Sequence, residues 1–127
     1  MNYNEIEEKL KEINTENYIW LLYIGIIFIS WYSNNLEKDY FLNDNIISKE
    51  KYRKTLILIF SILIVVYLYF LKSAINDINN LKLNDTDQKK NLVYLSFIGS
   101  LLIVVSGIIF LYIAIKDEDI SVELAFN

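Results

Sequence analysis

The sequence predicts an all-α membrane protein: three transmembrane helices in a small bundle, preceded by a short amphipathic N-terminal helix. Three observations carry this reading. More than half of the 127 residues are apolar, yet over a fifth are charged. The charges are segregated: residues 17–36, 55–71 and 91–115 contain no ionisable acid or base. A helix rises about 1.5 Å per residue, so roughly 20 apolar residues cross a hydrocarbon core about 30 Å thick. The first and third runs reach that length. The middle run is shorter, but Lys54 and Lys72 at its ends can snorkel to the boundary. A chain this short offers one domain, residues 1–127, and could not hide three such helices inside a water-soluble core.

The first element is an amphipathic acidic helix over residues 1–14. Tyr3, Ile6, Leu10 and Ile13 share one face, and the opposite face is acidic. The same spacing continues through Asn17, Trp20, Ile24, Ile27 and Trp31, which would suit one unbroken helix. Asn14 and Thr15 are good N-cap residues, with Glu16 placed for a first turn, so a break is expected there. The leader holds five glutamates against two lysines and no small-x-small cleavage site follows, unlike a cleavable signal.

The first transmembrane helix is expected over 17–34. Aromatic residues stand at both ends, with Trp20 and Trp31 as interface anchors. A polar loop, 34–48, carries Tyr40, Phe41 and Leu42, and Ser48 is expected to cap the next helix. The second transmembrane helix spans 55–72 inside a longer helix of about 49–82. Its anchors are Lys54 and Lys72 with Tyr67 and Tyr69. Asp85 or Thr86 caps the third helix, with a possible capping box from Asp85 to Gln88. That helix spans 90–115. An acidic tail, 117–127, ends in strict alternation: Ile120, Val122, Leu124 and Phe126 against Ser121, Glu123 and Ala125. Alternation is a strand pattern, but a lone strand is unstable, so the tail either pairs with another chain or is disordered.

Only the third helix has a pattern of small residues, GSLLIVVSG at 99–107. Seven residues turn the helix by about 700°, some 20° short of two turns, so Gly99 stacks over Ser106 and Ser100 over Gly107. Ser96, Ile103 and Phe110 lie on or beside the stripe. The seam Ser96, Gly99, Ser100, Ile103, Ser106, Gly107 and Phe110 is expected to pack against a helix of the same or another copy, or to line a pore.

Missing atoms exclude several chemistries. Cysteine and histidine are absent, so there is no thiolate nucleophile, imidazole base, disulfide or soft-metal site. No ionisable group lies at membrane depth, as a proton relay or coupled transporter requires. Asp77, Asp85 and Asp87 lie near one another in sequence but lack calcium-loop spacing, and no metal or other cofactor is expected. With a net charge of −4 and no basic face, no nucleic-acid partner is expected.

Two resemblances bear on function. FLKSAIND, 70–77, is similar to the motif ending the second helix of small bacterial diacylglycerol and undecaprenol kinases, which also have three membrane helices. That family sets glutamates on both sides of an Asn-Ser-Ala-Ile core. Here Tyr69 and Asn76 stand in those places and Lys72 replaces the core asparagine, so no kinase activity is expected. Small size, three helices and uncharged spans also resemble some holins, although those carry a basic rather than an acidic C-terminal tail.

The expectation is therefore a non-enzymatic, homo-oligomeric protein of the lipid bilayer, forming a passive pore or holin-like assembly. The alternative is an accessory or immunity-type protein that binds another membrane protein. Richness in Ile, Asn, Lys and Tyr is what AT-rich codons yield, which points to a low-GC bacterium and its cytoplasmic membrane. Basic residues divide six against six between the two sides. The acidic N-terminal segment and the dense basic cluster at 49–54 place the N-terminus outside.

Overall fold

A computed structural model describes residues 2–124. It contains three helices: α1 (Tyr3–Asn43), α2 (Ile46–Asn79) and α3 (Asp87–Lys116). Each is long and apolar enough to cross a membrane, and the chain is an integral membrane protein on that ground.

α2 is the central helix. Its apolar span is 28% buried, against 17% for each of the other two. α1 and α3 both pack on α2 and make no close backbone approach to each other. α1 turns Ile19, Tyr23, Ile26, Ser30 and Ser33 toward the bundle, and α3 turns Val93, Phe97, Ser100, Val104, Gly107, Leu111 and Ala114. Both stripes alternate steps of four and three residues, the spacing of left-handed, shallow-angle packing. Between them, Leu56, Ile59, Phe60, Leu63 and Val66 of α2 are almost wholly buried. Small side chains bring α1 close: Ser33 is fully buried, and the Ser30 hydroxyl folds back onto the Ile26 carbonyl at 2.7 Å.

The expected break at Asn14 and Thr15 is corrected, because α1 runs unbroken from Tyr3. The true N-cap is Asn2, whose side chain accepts from the Glu5 N–H at 2.9 Å while the Glu5 carboxylate accepts from the Asn2 N–H at 3.3 Å. Thr15 serves the helix interior, its hydroxyl donating to the Lys11 carbonyl at 3.0 Å. A reciprocal capping box outcompetes a mid-helix Asn-Thr pair. Residues 3–14 of that segment are therefore the first part of α1.

The loop expected at 34–48 is also mostly helix. α1 continues to Asn43 and reverses through Asp44, whose φ of 50° is one that aspartate tolerates. Asn45, not Ser48, caps α2 by accepting from the N–H groups of Ile47 and Ser48. Ser48 instead donates its hydroxyl to Asp39, which also accepts from Asn43 and Asn45 at 2.7 Å each. One carboxylate thus ties both helix ends. α2 ends at Asn79, short of the expected 82. Thr86 caps α3, and the Asp85–Gln88 box is absent: Asp85 accepts from the Lys82 N–H at 2.7 Å and pairs with Lys89 at 3.2 Å.

The tail is not a strand over its described residues. The Asp117 carboxylate accepts from the N–H groups of Ser121 at 3.0 Å and Val122 at 2.8 Å, folding the chain into a turn. Leu124 returns to the bundle beside Tyr52, Leu56 and Ala114, and Ile120 packs against the same cluster, while Val122 is exposed. Burying two aliphatics on the bundle end outweighs the alternating pattern. Phe126 lies outside the described residues.

The two glycines of α3 differ. A Cβ at Gly107 would lie 3.2 Å from Ile64 Cγ1 and 3.3 Å from Tyr67 Cδ2, whereas one at Gly99 would meet nothing within 4 Å. Gly107→Ile should therefore destabilise the monomer by about 1–3 kcal/mol through overpacking, and Gly99→Ile should leave it unchanged. Denaturation of each variant in mixed micelles measures both.

Candidate functional site

Because α1 and α3 meet only α2, a cleft of about 460 Å³ opens between them at the end nearest the N-terminus. α1 contributes Glu16, Ile19, Trp20 and Tyr23, α2 contributes Tyr67 and Phe70, and α3 contributes Ser100 and Ile103. The Trp20 and Tyr23 rings meet edge to face with centroids 5.7 Å apart. The surface is apolar and aromatic, with one carboxylate at the boundary of the charge-free span. It suits an apolar chain and offers no general acid–base pair or metal-ligand set. Among the described residues no three His, Cys, Asp or Glu side chains cluster to hold a metal ion.

The seam predicted on α3 divides. Gly107 is buried against α2, Ser100 lines the cleft, and Phe110 stacks against Phe60 at 5.7 Å. Ile103 spans the cleft and a neighbouring groove of about 270 Å³ that also includes Ser106, Gly107 and Phe110. Ser96, Gly99, Ile103 and Ser106 remain exposed. Of the predicted anchors, Trp20 and Trp31 are about two-thirds exposed, and Lys54 and Lys72 are exposed. Tyr67 and Tyr69 are half-buried; Tyr67 packs at Gly107, and Tyr69 meets Phe70 edge to face. Within the kinase-like stretch, Lys72, Asn76 and Asp77 are exposed, and Asp77 borders a groove with Thr86, Gln88, Lys89 and Ser96 of the α3 end.

A second polar cluster lies at the opposite end and was not foreseen. Arg53 Nη2 donates to the Ile115 carbonyl at 3.1 Å in the last turn of α3. Lys49 pairs with Asp119 at 3.5 Å and sits 5.2 Å from the Tyr40 ring centre. The basic cluster at 49–54 thus faces the acidic tail. Hydrogen bonds from Ser48, Asn43 and Asn45 hold the Asp39 carboxyl below its usual range. Those from Ser121 and Val122, with the Arg53 charge, do the same for Asp117 against opposing desolvation. Burial pushes the Glu37 carboxyl up, reinforced by Glu123 and opposed by a hydrogen bond from Tyr52.

Fold and surface together define an all-helical integral membrane protein with an aromatic cleft between α1 and α3. No family model matches the sequence, and no curated protein or solved structure is similar to it at a significant level.

The carboxylate shifts predict a stability profile with two opposing arms. Glu37 titrates higher when folded, so its protonation favours the fold as pH falls from neutral. Asp39 and Asp117 titrate lower when folded, so their contribution is full above the ordinary carboxylate range and is lost below about pH 4. Melting temperature should rise slightly and then fall on acidification. Glu37→Gln should remove the rise, and Asp39→Asn should weaken the fall.

Proposed function

We propose that this chain is a non-enzymatic membrane protein that acts by assembling with copies of itself in the bilayer. The observation that supports this reading is the exposed flank of α3 beside its contact with α2, where Ile103 borders the cleft and Ser106 the neighbouring groove. Ser96, Gly99, Ile103 and Ser106 are exposed there, and the space where a Gly99 side chain would stand is empty. Lipid removes the hydrophobic drive between membrane helices, so they associate through close backbone approach at small residues. The seven-residue step from Gly99 to Ser106 suits a crossing of about +20°.

A passive path for small solutes between copies is the finer form of this reading, with Ser96, Gly99 and Ser106 as its polar lining. An accessory or immunity-type role is favoured by a different observation: the first third of α1 projects beyond the bundle with every described side chain exposed up to Tyr18. Both roles leave the chain without catalysis, consistent with a sequence that contains neither His nor Cys. A bacterial cytoplasmic membrane with the N-terminus outside belongs to the same proposal, resting on codon-like composition and the basic cluster at 49–54.

Liposomes holding a trapped dye and only this protein test the reading. Self-assembly predicts a detergent particle larger than one chain, and the pore form adds dye release. Gly99→Ile should reduce both while leaving the helix content measured by circular dichroism unchanged. A monomeric particle with no release would contradict the proposal, and co-purification of one fixed partner would favour the accessory role.

A further inference from the structure

The first 14 residues of α1 pose a problem that its own bundle does not solve. Tyr3, Ile6, Leu10 and Ile13 form one apolar face with no neighbour, Tyr3 at 80% and Leu10 at 55% exposure. Lipid does not cover them, because α1 is continuous and residues 3–16 carry its axis about 21 Å past the charge-free span. With no proline or glycine in that stretch the helix has no hinge by which to lie flat. The segment is also acidic, which opposes adsorption to anionic lipid.

The face continues into the membrane. After Asn17 come Trp20, Ile24, Ile27 and Trp31, all exposed, with steps of three and four throughout. Each of these follows a bundle-facing residue of α1 by one position, so this stripe lies about 100° around the helix from the contact with α2. It is a second, unused packing face, on a helix whose first face is already engaged.

We infer that this face is where two copies of the chain pair, α1 against α1, as a parallel two-stranded coiled coil. This inference rests on the self-assembly reading and adds a second contact, on α1, to the one at the small residues of α3. Both copies cross the membrane in the same sense, so their projecting segments run side by side in parallel. Written as heptads, Ile6, Ile13, Trp20 and Ile27 take the d positions, and Tyr3, Leu10, Ile24 and Trp31 take a positions with Asn17. One asparagine at an a position sets register and favours two strands, because it meets its own mate across the axis. The flanking pairs that parallel pairing creates are Asn2 with Glu7, Lys9 with Asn14 and Glu16 with Leu21 of the other copy, and none opposes like charges. Covering the nine stripe side chains removes on the order of 800 Å² per copy, the size of a standard interface.

The chain contains no cysteine, so single substitutions report the contact without background. The full-length protein reconstituted in liposomes carries Ile6→Cys, Ile13→Cys or, as a control on the opposite side, Glu8→Cys. A disulfide needs Cα atoms within about 7 Å. Oxidation should cross-link the Ile6→Cys and Ile13→Cys proteins into dimers several-fold faster than the Glu8→Cys protein. Equal rates at all three sites, or no cross-linking in a particle that still has oligomeric mass, would overturn the α1 pairing and leave self-assembly standing. A monomeric mass would overturn both.

Discussion

In hydrocarbon no water is present to accept or donate a hydrogen bond, so each backbone amide must find its partner within its own helix. This constraint shapes the molecule because the chain has no proline and no charge over residues 17–36, 55–71 and 91–115. Nothing inside those spans interrupts the ladder. Each helix therefore runs on until a polar group outside the membrane offers the backbone a better partner. On α1 the ladder starts at the Asn2 cap and ends at the left-handed Asp44, giving a helix about 61 Å long, twice the thickness of the hydrocarbon it crosses.

The packing is linear: α1 and α3 each lie on α2, and α2 alone touches both neighbours. The aromatic cleft between α1 and α3 and the exposed small-residue flank of α3 both follow from that arrangement. Polar residues then fasten the opposite end. Asp39 joins α1 to the start of α2, while Arg53 and Lys49 hold the end of α3 and the tail against the bundle. Leu124 closes that end with apolar contact.

The spans, their order and a cap for α3 at Asp85 or Thr86 were legible in the sequence because each depends on local chemistry: uninterrupted hydropathy, or a polar side chain before a helix. The errors occurred where two local signals competed. Asn14 and Thr15 look like caps, but Asn2 with Glu5 makes a reciprocal pair, and a helix already nucleated propagates through a mediocre position. Ser48 looks like a cap until Asp39, nine residues earlier, claims its hydroxyl. The alternating tail yields to Asp117, which supplies acceptors to two backbone N–H groups. The bundle-facing stripe of α1 was hidden because its members include Ser30 and Ser33, while the residues that look most like a core, Trp20, Ile24 and Trp31, face outward. In lipid an apolar stripe no longer marks the interior, and small residues mark it better.

The account depends most on α1 being one rigid rod from Tyr3 through the membrane, since the projecting face exists only if the helix does not break. Spin labels on Glu8→Cys and Lys38→Cys in the same chain, diluted with unlabelled protein in lipid nanodiscs, measure this by pulsed electron resonance. An unbroken helix predicts a single narrow distance of about 45 Å, to within the length of the labels. A shorter, broad distribution would mean that the chain breaks near Asn14, and would contradict the account.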